Sequence, residues 1–183
     1  MSQKKKLRKQ FYQLRKKKYY EIDKNFFVPL IKFIKRRFNK KKLKLALYYP
    51  ANFEINILKL LDINYMKNQK ILLPITEKKN NMNFFQWDKN QVLFVNKYGL
   101  LEPEKTGVKI PNLILVPLLA FDKYKYRLGY GKGFYDRYLN KYLKNFKDIL
   151  TVGVAFSFQK YHKLPRNKFD VKLNFILTEK GIN

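Results

Sequence analysis

The sequence predicts an α/β fold in which a single three-layer domain has a mostly parallel central sheet and an N-terminal helical segment. From residue 43 onwards, short apolar runs alternate with segments of helical periodicity, which is the pattern of an α/β fold. The run LILV at 113–116 is unbroken and closed by Pro117, as is typical of a strand covered on both faces. Residues 5–20 and 23–38 carry apolar side chains near the 3.6-residue helical period, so both are expected to be helices.

The remaining elements follow from the same patterns. We expect strands at 43–49, 71–74, 113–116, 150–155 and 174–177, and helices at 52–61 and 134–146. Two further runs, 82–87 and 92–95, are expected to pair as antiparallel strands around the turn-rich residues 88–90. Residues 39–42 are expected to form a solvated basic link. No internal repeat or low-complexity linker interrupts the chain, so residues 1–183 are expected to form one domain.

Composition excludes several classes of protein. With 46% hydrophobic and 17% aromatic residues, the 183-residue chain can fill a sizeable core. Its apolar runs are far shorter than the roughly 20 residues that span a bilayer, and its basic N-terminus lacks the apolar stretch of a secretory signal. The absence of cysteine excludes disulfides and thiolate catalysis, and a single histidine excludes a multi-histidine metal site. We therefore expect a cytoplasmic protein with no membrane partner.

The formal net charge of +28 favours a different class, because strongly basic domains commonly bind nucleic acids. The lysines are spread along the whole chain and alternate with Asn, Ile, Tyr and Phe, which indicates compositional drift toward AT-rich codons. We expect non-specific attraction to polyanions and no specific nucleic-acid partner. The alternative is a basic RNA- or ribosome-associated protein without enzymatic activity, whose aromatic side chains stack on bases.

The segment after the predicted strand 113–116 has the composition of a phosphate-binding loop. Within seven positions it contains Arg127, Gly129, Gly131, Lys132 and Gly133. Glycine lets backbone N–H groups approach anionic oxygens closely, and the following helix adds its positive N-terminal dipole. The string GYGKG matches neither the dinucleotide fingerprint nor the Walker lysine motif, so by itself it is weak evidence for a nucleotide site.

Carboxylates near this loop alternate with cations. Asp122 precedes the loop and Asp136 follows it, so these groups can hold Mg²⁺, and neighbouring arginines can hold phosphate. An equally open alternative is that Asp136 pairs with Arg127 or Arg137. Glu54 is expected in the first turn of the helix at 52–61, where a carboxylate commonly stabilises the helix dipole by roughly 0.3–1 kcal/mol.

The string PLLAFD…RLGYGKGFYDRYL closely resembles the signature of the 5-formyltetrahydrofolate cyclo-ligase family, also called methenyltetrahydrofolate synthetases. The resemblance covers nearly the whole chain, because five other segments fall in that family's order: an N-terminal basic helix with Lys4 and Arg8, LALYYPANFEIN at 45–56, ILLP at 71–74, GLLEP at 99–103 and the closing segment at 152–178. One departure is visible, since the family usually has glycine before the loop arginine and this chain has Tyr126. The departure concerns the turn before Arg127 and leaves the loop itself unchanged.

The resemblance implies ATP- and Mg²⁺-dependent conversion of 5-formyltetrahydrofolate to 5,10-methenyltetrahydrofolate, with release of ADP and phosphate. A third possibility is an ATP-using ligase or kinase that acts on another small carboxylate. The family pattern implies an ATP site formed by Lys4, Arg8, Arg127, Leu128, Gly129, Tyr130, Gly131, Lys132, Gly133, Phe134 and Tyr135. It implies a substrate site formed by Tyr49, Glu54, Tyr130, Gly131, Lys132, Gly133 and Phe134. It implies Mg²⁺ ligands at Asp136 and Asp170.

Overall fold

The computed structural model describes residues 2–39 and 42–183. In this part of the chain the α-helices are α1 (Gln3–Lys18), α2 (Val28–Arg37) and α3 (Phe134–Tyr142). The strands are β1 (Lys44–Ala46), β2 (Lys70–Thr76), β3 (Met82–Gln86), β4 (Phe94–Val95), β5 (Leu101–Glu102), β6 (Val108–Lys109), β7 (Leu113–Pro117), β8 (Ala120–Asp122), β9 (Arg127–Leu128), β10 (Leu150–Val154), β11 (Lys160–Tyr161), β12 (Phe175–Thr178) and β13 (Gly181–Ile182).

The central sheet has eight strands in the order β13-β12-β10-β7-β1-β2-β3-β6. The five strands from β12 to β2 are parallel, and the outer pairs β12/β13, β2/β3 and β3/β6 are antiparallel. The prediction of a mostly parallel α/β sheet is therefore confirmed. Two small sheets accompany it, one of order β11-β8-β9 and one formed by β4 and β5. None of the described helices combines the length and apolar character that crossing a bilayer requires.

Strand β7 shows how the sheet is covered on both faces. Leu113 and Leu115 belong to one hydrophobic cluster, and Ile114 and Val116 belong to another. Alternate side chains of a strand lie on opposite faces, so a strand buried on both sides needs an unbroken apolar run. Helix α2 packs into the first cluster and α3 into the second, which gives the three layers that the sequence predicted.

Helix α1 lies outside these two layers, against the small sheet of β8, β9 and β11. Its Leu7 and Phe11 share a buried cluster with Leu119, Ala120, Leu128 and Leu164. Leu128 directly precedes the glycine-rich segment, so this packing holds α1 beside the loop. The helix is close to the predicted 5–20, and the predicted helix at 23–38 is present as a 3₁₀ turn, Lys24–Phe27, that continues into α2.

The predicted helix at 52–61 is wrong in its first half. Asn52 and Phe53 have left-handed φ angles of 50° and 63°, which an α-helix does not accommodate. Only a short 3₁₀ helix, Ile57–Asp62, follows, and the side chain of Asn56 accepts a hydrogen bond from Leu58 N at its start. Glu54 therefore lies in a turn before this helix. The predicted interaction of its carboxylate with the dipole of a helix at 52–61 is wrong.

The predicted hairpin between 82–87 and 92–95 is also wrong. Phe84 and Phe85 of β3 are fully buried, and β3 pairs with β2 on one side and β6 on the other. In contrast, Phe94 and Val95 are 57% and 71% exposed and form only the short β4/β5 pair. Strand pairing here follows burial, which a local turn signal does not encode.

The other differences are at element ends. The strand predicted at 43–49 is the shorter β1, and the helix predicted at 134–146 ends at Tyr142. The basic link predicted at 39–42 includes residues 40 and 41, which lie outside the described residues.

Candidate active site

The candidate site lies at the carboxyl edge of the parallel strands. Because β1, β7 and β10 run parallel, the segments that leave them emerge at one edge, where open α/β sheets bind ligands. β1 leads into the turn at residues 49–54, which we call the 49–54 turn. β7 leads through β8 and β9 to residues 129–133, which we call the glycine loop.

The 49–54 turn forms one wall of a cavity of about 320 Å³. The cavity contains both residues that the family pattern assigned to the substrate alone, Tyr49 and Glu54. Its lining is formed by Tyr19, Tyr49, Pro50, Ala51, Asn52, Phe53, Glu54, Asn56 and Leu58.

The backbone of the 49–54 turn is strained. Two consecutive residues other than glycine, Asn52 and Phe53, are left-handed, at a cost of roughly 1–2 kcal/mol each. Local hydrogen bonds hold the turn: Glu54 N donates to the Ala51 carbonyl at 2.9 Å, and Ala51 N donates to Glu54 Oε2 at 3.0 Å. Such conformations persist only when the surrounding structure enforces them, and they are common at ligand sites.

Glu54 is buried, with 8% of its surface exposed. Burial raises its pKa from 4.5 to about 7, although the Arg15 charge, the Ala51 N–H and the Tyr130 hydroxyl oppose this rise. The carboxyl of Glu54 consequently changes its charge near neutral pH. A carboxylate in this cavity can accept hydrogen bonds from N–H groups of a bound heterocycle.

Arg15 is a site residue that the sequence did not reveal. Its side chain is buried, Nη1 donates to the Leu118 carbonyl at 3.0 Å, and Nη2 donates to the Asn52 carbonyl at 2.7 Å and to the Tyr130 hydroxyl. The helical spacing does place Arg15 on the same face of α1 as Arg8 and Phe11, because it lies seven residues after the first and four after the second. A buried arginine cannot be told from a solvated one in a chain with 41 Lys and Arg residues.

The glycine loop adopts backbone conformations that require glycine. Gly131 has φ +105°, and Gly133, with φ +73°, is the N-cap of α3. Arg8 of α1 donates from Nε to the Gly129 carbonyl at 2.9 Å, and a Cβ at Gly131 would lie 3.1 Å from Arg8 Cζ. The loop therefore needs Gly131 for both its φ angle and its close contact with α1.

Lys132 is exposed at the outer side of the glycine loop, where its ammonium lies 5.6 Å from the ring centroid of Tyr98. Phe134 packs edge-on against the same tyrosine, with ring centroids 5.8 Å apart. Arg137 of α3 donates to the Lys132 and Asn80 carbonyls and so links the loop to residue 80. The loop thus presents an exposed cation at its outer side.

The two aspartates predicted as metal ligands are brought near one another and near cations. Asp136 Oδ1 accepts from Arg127 at 2.9 Å and from Val171 N at 3.2 Å, and Asp170 is the residue before Val171. Asp170 Oδ2 pairs with Lys4 Nζ at 2.5 Å. The pairing of Asp136 with Arg127, left open by the sequence, is therefore present. The Arg127 side chain is only 4% exposed, so it bonds Asp136 and does not face the open side of the loop.

The donor set suits Mg²⁺ in its chemistry. Among the described residues no group of three or more His, Cys, Asp or Glu side chains converges, but Mg²⁺ typically takes only one or two carboxylates and completes its shell with water and phosphate oxygens. The hydrogen bonds and ion pairs described above use one oxygen of each aspartate, Oδ1 of Asp136 and Oδ2 of Asp170.

Asp122, which precedes the glycine loop, has a structural role. It is buried, accepts from the backbone N–H groups of Tyr124, Tyr126 and Leu164, and pairs with Arg166 at 3.0 Å. It therefore organises the chain before the glycine loop and is not a metal ligand in this arrangement.

The departure at Tyr126 is accommodated without strain at that position. The left-handed residue of the turn before Arg127 is Lys125, with φ +67°. The ring of Tyr126 packs against Arg166, whose Cζ lies 3.9 Å from the ring centroid. The turn therefore places its unusual backbone one residue earlier and uses the tyrosine for packing.

The fold and the site together define an α/β enzyme with a loop rich in glycine and cations beside a cavity that contains a carboxyl group. Comparison with known proteins identifies the family: the 5-formyltetrahydrofolate cyclo-ligase family matches residues 1–179, and the chain belongs to this family. The family consists of ligases, so the chain is a ligase.

Relatives and solved structures agree. A 5-formyltetrahydrofolate cyclo-ligase from Haemophilus influenzae is 33% identical over 141 residues, which cover 73% of this chain and 74% of that protein. The solution structure of a 5,10-methenyltetrahydrofolate synthetase from Aquifex aeolicus has a TM-score of 0.77 at 32% identity, over 99% of this chain and 92% of that one. A 5,10-methenyltetrahydrofolate synthetase from Mycoplasma pneumoniae has a TM-score of 0.67 at 27% identity, over 96% of this chain and 98% of that one.

Proposed function

We propose that the chain converts 5-formyltetrahydrofolate to 5,10-methenyltetrahydrofolate, with ATP as co-substrate and Mg²⁺ as metal ion, and releases ADP and phosphate. The observation that carries this proposal is that one residue, Arg15, bonds to both parts of the site. Tyr130 of the glycine loop and Asn52 of the 49–54 turn are both bonded to Arg15, so a phosphate-binding loop lies beside a carboxyl-lined cavity.

The chemistry requires an activated oxygen. An N-formyl oxygen is a poor leaving group, so attack of N10 on the formyl carbon does not by itself expel that oxygen and give the methenyl product. Transfer of the γ-phosphoryl group of ATP to the formyl oxygen gives an iminium phosphate and ADP. N10 then forms a bond to the formyl carbon and loses its proton, and the C–O bond breaks as phosphate leaves. No side-chain nucleophile takes part, so the protein acts by positioning and by stabilising charge.

On the phosphate side, the ammonium of Lys132 and the loop N–H groups stabilise the negative charge of the transferring phosphoryl group. Lys4 and Arg8 share one face of α1, and Arg8 is held at the loop by its bond to Gly129. Arg127 acts indirectly, since its buried guanidinium fixes Asp136 beneath the loop.

On the folate side, Glu54 accepts hydrogen bonds from the pterin N–H groups, and Tyr49 forms a side wall of the cavity. The strained 49–54 turn fixes both side chains before the ligand arrives, and this lowers the entropic cost of binding. The formyl oxygen is thereby directed toward the γ-phosphoryl group held by the loop.

Asp136 and Asp170 are the residues that would hold Mg²⁺. When bound, Mg²⁺ would offset the negative charge of the phosphate oxygens, and the two aspartates would hold it beside the loop. A cytoplasmic location and the action of residues 1–183 as one domain are also part of this proposal.

The test is a direct assay of ring closure. Purified protein is mixed with ATP, Mg²⁺ and 5-formyltetrahydrofolate, and the ultraviolet absorbance of the methenyl product is followed. We expect product only when all three are present, with ADP formed in equal amount. Product that forms without ATP, or ATP hydrolysis without methenyl product, would contradict the proposal. A chelator control with excess EDTA separates the metal requirement from the nucleotide requirement.

A further inference from the structure

Arg15 joins three segments that are far apart in sequence. Its guanidinium donates to the Leu118 carbonyl directly after β7, to the Asn52 carbonyl in the 49–54 turn and to the Tyr130 hydroxyl in the glycine loop. The Leu118 carbonyl also accepts from Gln159 Nε2 at 3.2 Å, which ties this anchor point to the segment after β10. The Leu118 carbonyl lies directly after β7, whereas the other two acceptors of Arg15 belong to the two halves of the site.

We infer that Arg15 is a positioning residue that couples the two substrate sites, so that ATP at the glycine loop strengthens folate binding at the 49–54 turn and folate strengthens ATP binding. This inference rests on the proposed function. ATP that orders the loop fixes Tyr130 against Arg15, and Arg15 then holds the Asn52 carbonyl in the strained turn. Coupling between two binding equilibria is reciprocal, so both ligands must show the same factor.

The shape of the guanidinium makes this role specific to arginine. Its planar fork reaches three acceptors at once from one buried position, whereas the ammonium of a lysine is a single point of charge. The guanidinium carbon also lies 5.6 Å from the centroid of the Tyr130 ring, so the loop end of the bridge includes a ring contact as well as a hydrogen bond. Lysine at this position would keep the charge and lose the three-way connection.

The charge of Arg15 gives a second readout at Glu54. Four side chains interact electrostatically with this carboxyl. They are Arg15 from α1, Tyr130 from the glycine loop, Tyr48 from the segment after β1 and Tyr135 from α3. Arg15 is the cation among them, and its charge lowers the pKa of Glu54. Removal of that charge must therefore move the Glu54 titration to higher pH.

The experiment measures the dissociation constant of the formylated folate by calorimetry, alone and with saturating Mg²⁺ and adenylyl imidodiphosphate, an ATP analogue that cannot transfer its phosphoryl group. We expect the wild-type chain to bind folate about tenfold more tightly with the analogue. Arg15→Lys and Tyr130→Phe should each reduce this factor to about one. Lys16→Met, which removes an exposed cation from the same helix, is the matched control and should keep the wild-type factor.

The pH dependence distinguishes positioning from simple loss of structure. Folate binding by Arg15→Lys should keep its inflection near the wild-type pH, and folate binding by Arg15→Met should show it at higher pH. If Arg15→Met does not fold, Arg15→Lys and Tyr130→Phe still decide the question. A factor that persists in both of these variants overturns the inference, as does a wild-type chain that binds both ligands with no factor. A wild-type chain that binds neither ligand overturns the proposed function together with it.

Discussion

The inner and outer walls of the site are built differently. The inner wall is formed by Arg15 and the 49–54 turn with Glu54, and its two charged groups, Arg15 and Glu54, are buried with specific partners at short distances. The outer wall is the glycine loop, where Lys132 is exposed and the neighbouring glycines have left-handed backbone conformations. One wall depends on geometry in a low-dielectric environment, and the other depends on accessible charge and backbone N–H groups.

This difference has consequences for substitutions. A change in the inner wall leaves buried polar groups without partners, so it alters stability, pKa values and ligand affinity together. A change of an exposed loop cation costs little stability and affects mainly the step in which negative charge moves. Substitutions in the inner wall should therefore change both activity and the free energy of unfolding, and substitutions of exposed loop cations should change mainly activity.

The largest effect is expected in the outer wall, for Lys132→Met. This substitution removes the exposed cation of the loop, so we expect kcat to fall by about 10²–10³-fold while the melting temperature stays close to that of the wild type. Steady-state kinetics and thermal melting by circular dichroism measure both quantities. Lys141→Met, at another exposed lysine that lies over an aromatic ring, is the matched control and should have wild-type activity. Equal losses in the two variants would show that the effect is not local to the loop.

An intermediate effect is expected in the inner wall, for Glu54→Gln. The amide keeps the shape and loses an anionic acceptor, so we expect the KM for the folate substrate to rise by roughly 10–100-fold and the KM for ATP to change little. Because the pKa of Glu54 is about 7, kcat/KM for the folate should rise with pH through that value in the wild type and lack this inflection in the variant. An unchanged profile in Glu54→Gln would remove Glu54 from the folate site.

Glu54 should also make the stability of the folded chain depend on pH. The pKa of Glu54 is higher in the folded chain than the ordinary 4.5, so the folded state binds more protons between about pH 4.5 and 7. The free energy of unfolding therefore falls as the pH rises through this window. Glu54→Gln lacks this loss, and we expect it to gain up to roughly 3 kcal/mol relative to wild type at pH 8. Chemical denaturation at pH 5 and pH 8 measures the difference, which should be small at the lower pH.

A smaller effect is expected at Asp136, which lies under the outer wall. Asp136→Asn keeps an acceptor for Arg127 and loses the negative charge, so we expect about tenfold more Mg²⁺ to be needed for half-maximal activity, with little change in stability. Asp122→Asn is the contrasting control, because its carboxylate is fully buried with several N–H partners and should cost about 1–3 kcal/mol of stability. An unchanged Mg²⁺ dependence in Asp136→Asn would exclude Asp136 as a ligand.

The outer wall was accessible from the sequence because its signals are local. Glycines and cations within seven positions and the apolar run before them define the loop without knowledge of distant contacts. The inner wall was only half accessible: Tyr49 and Glu54 entered through the family resemblance, but the turn that carries them was predicted as a helix. Arg15 was missed because its partners lie 37, 103 and 115 residues away, and long-range burial is not encoded in a window of neighbouring residues. The pairing of β3 was mispredicted for the same reason.

The smallest effect on activity is expected for salt, which screens the surface charge. A salt series therefore tests whether the site or the net charge of +28 dominates function. Binding of mixed RNA by diffuse lysines should fall about 10³–10⁵-fold between about 50 and 200 mM salt if six to ten phosphates are contacted, since counterion release governs such binding. ATP held by loop N–H groups depends less on diffuse charge, so kcat/KM for ATP should change by less than about threefold over the same range. Filter binding of RNA and the absorbance assay are run in the same buffers. RNA binding that survives the higher salt and discriminates between sequences, in a preparation that forms no methenyl product, would favour the RNA-associated alternative over the enzyme.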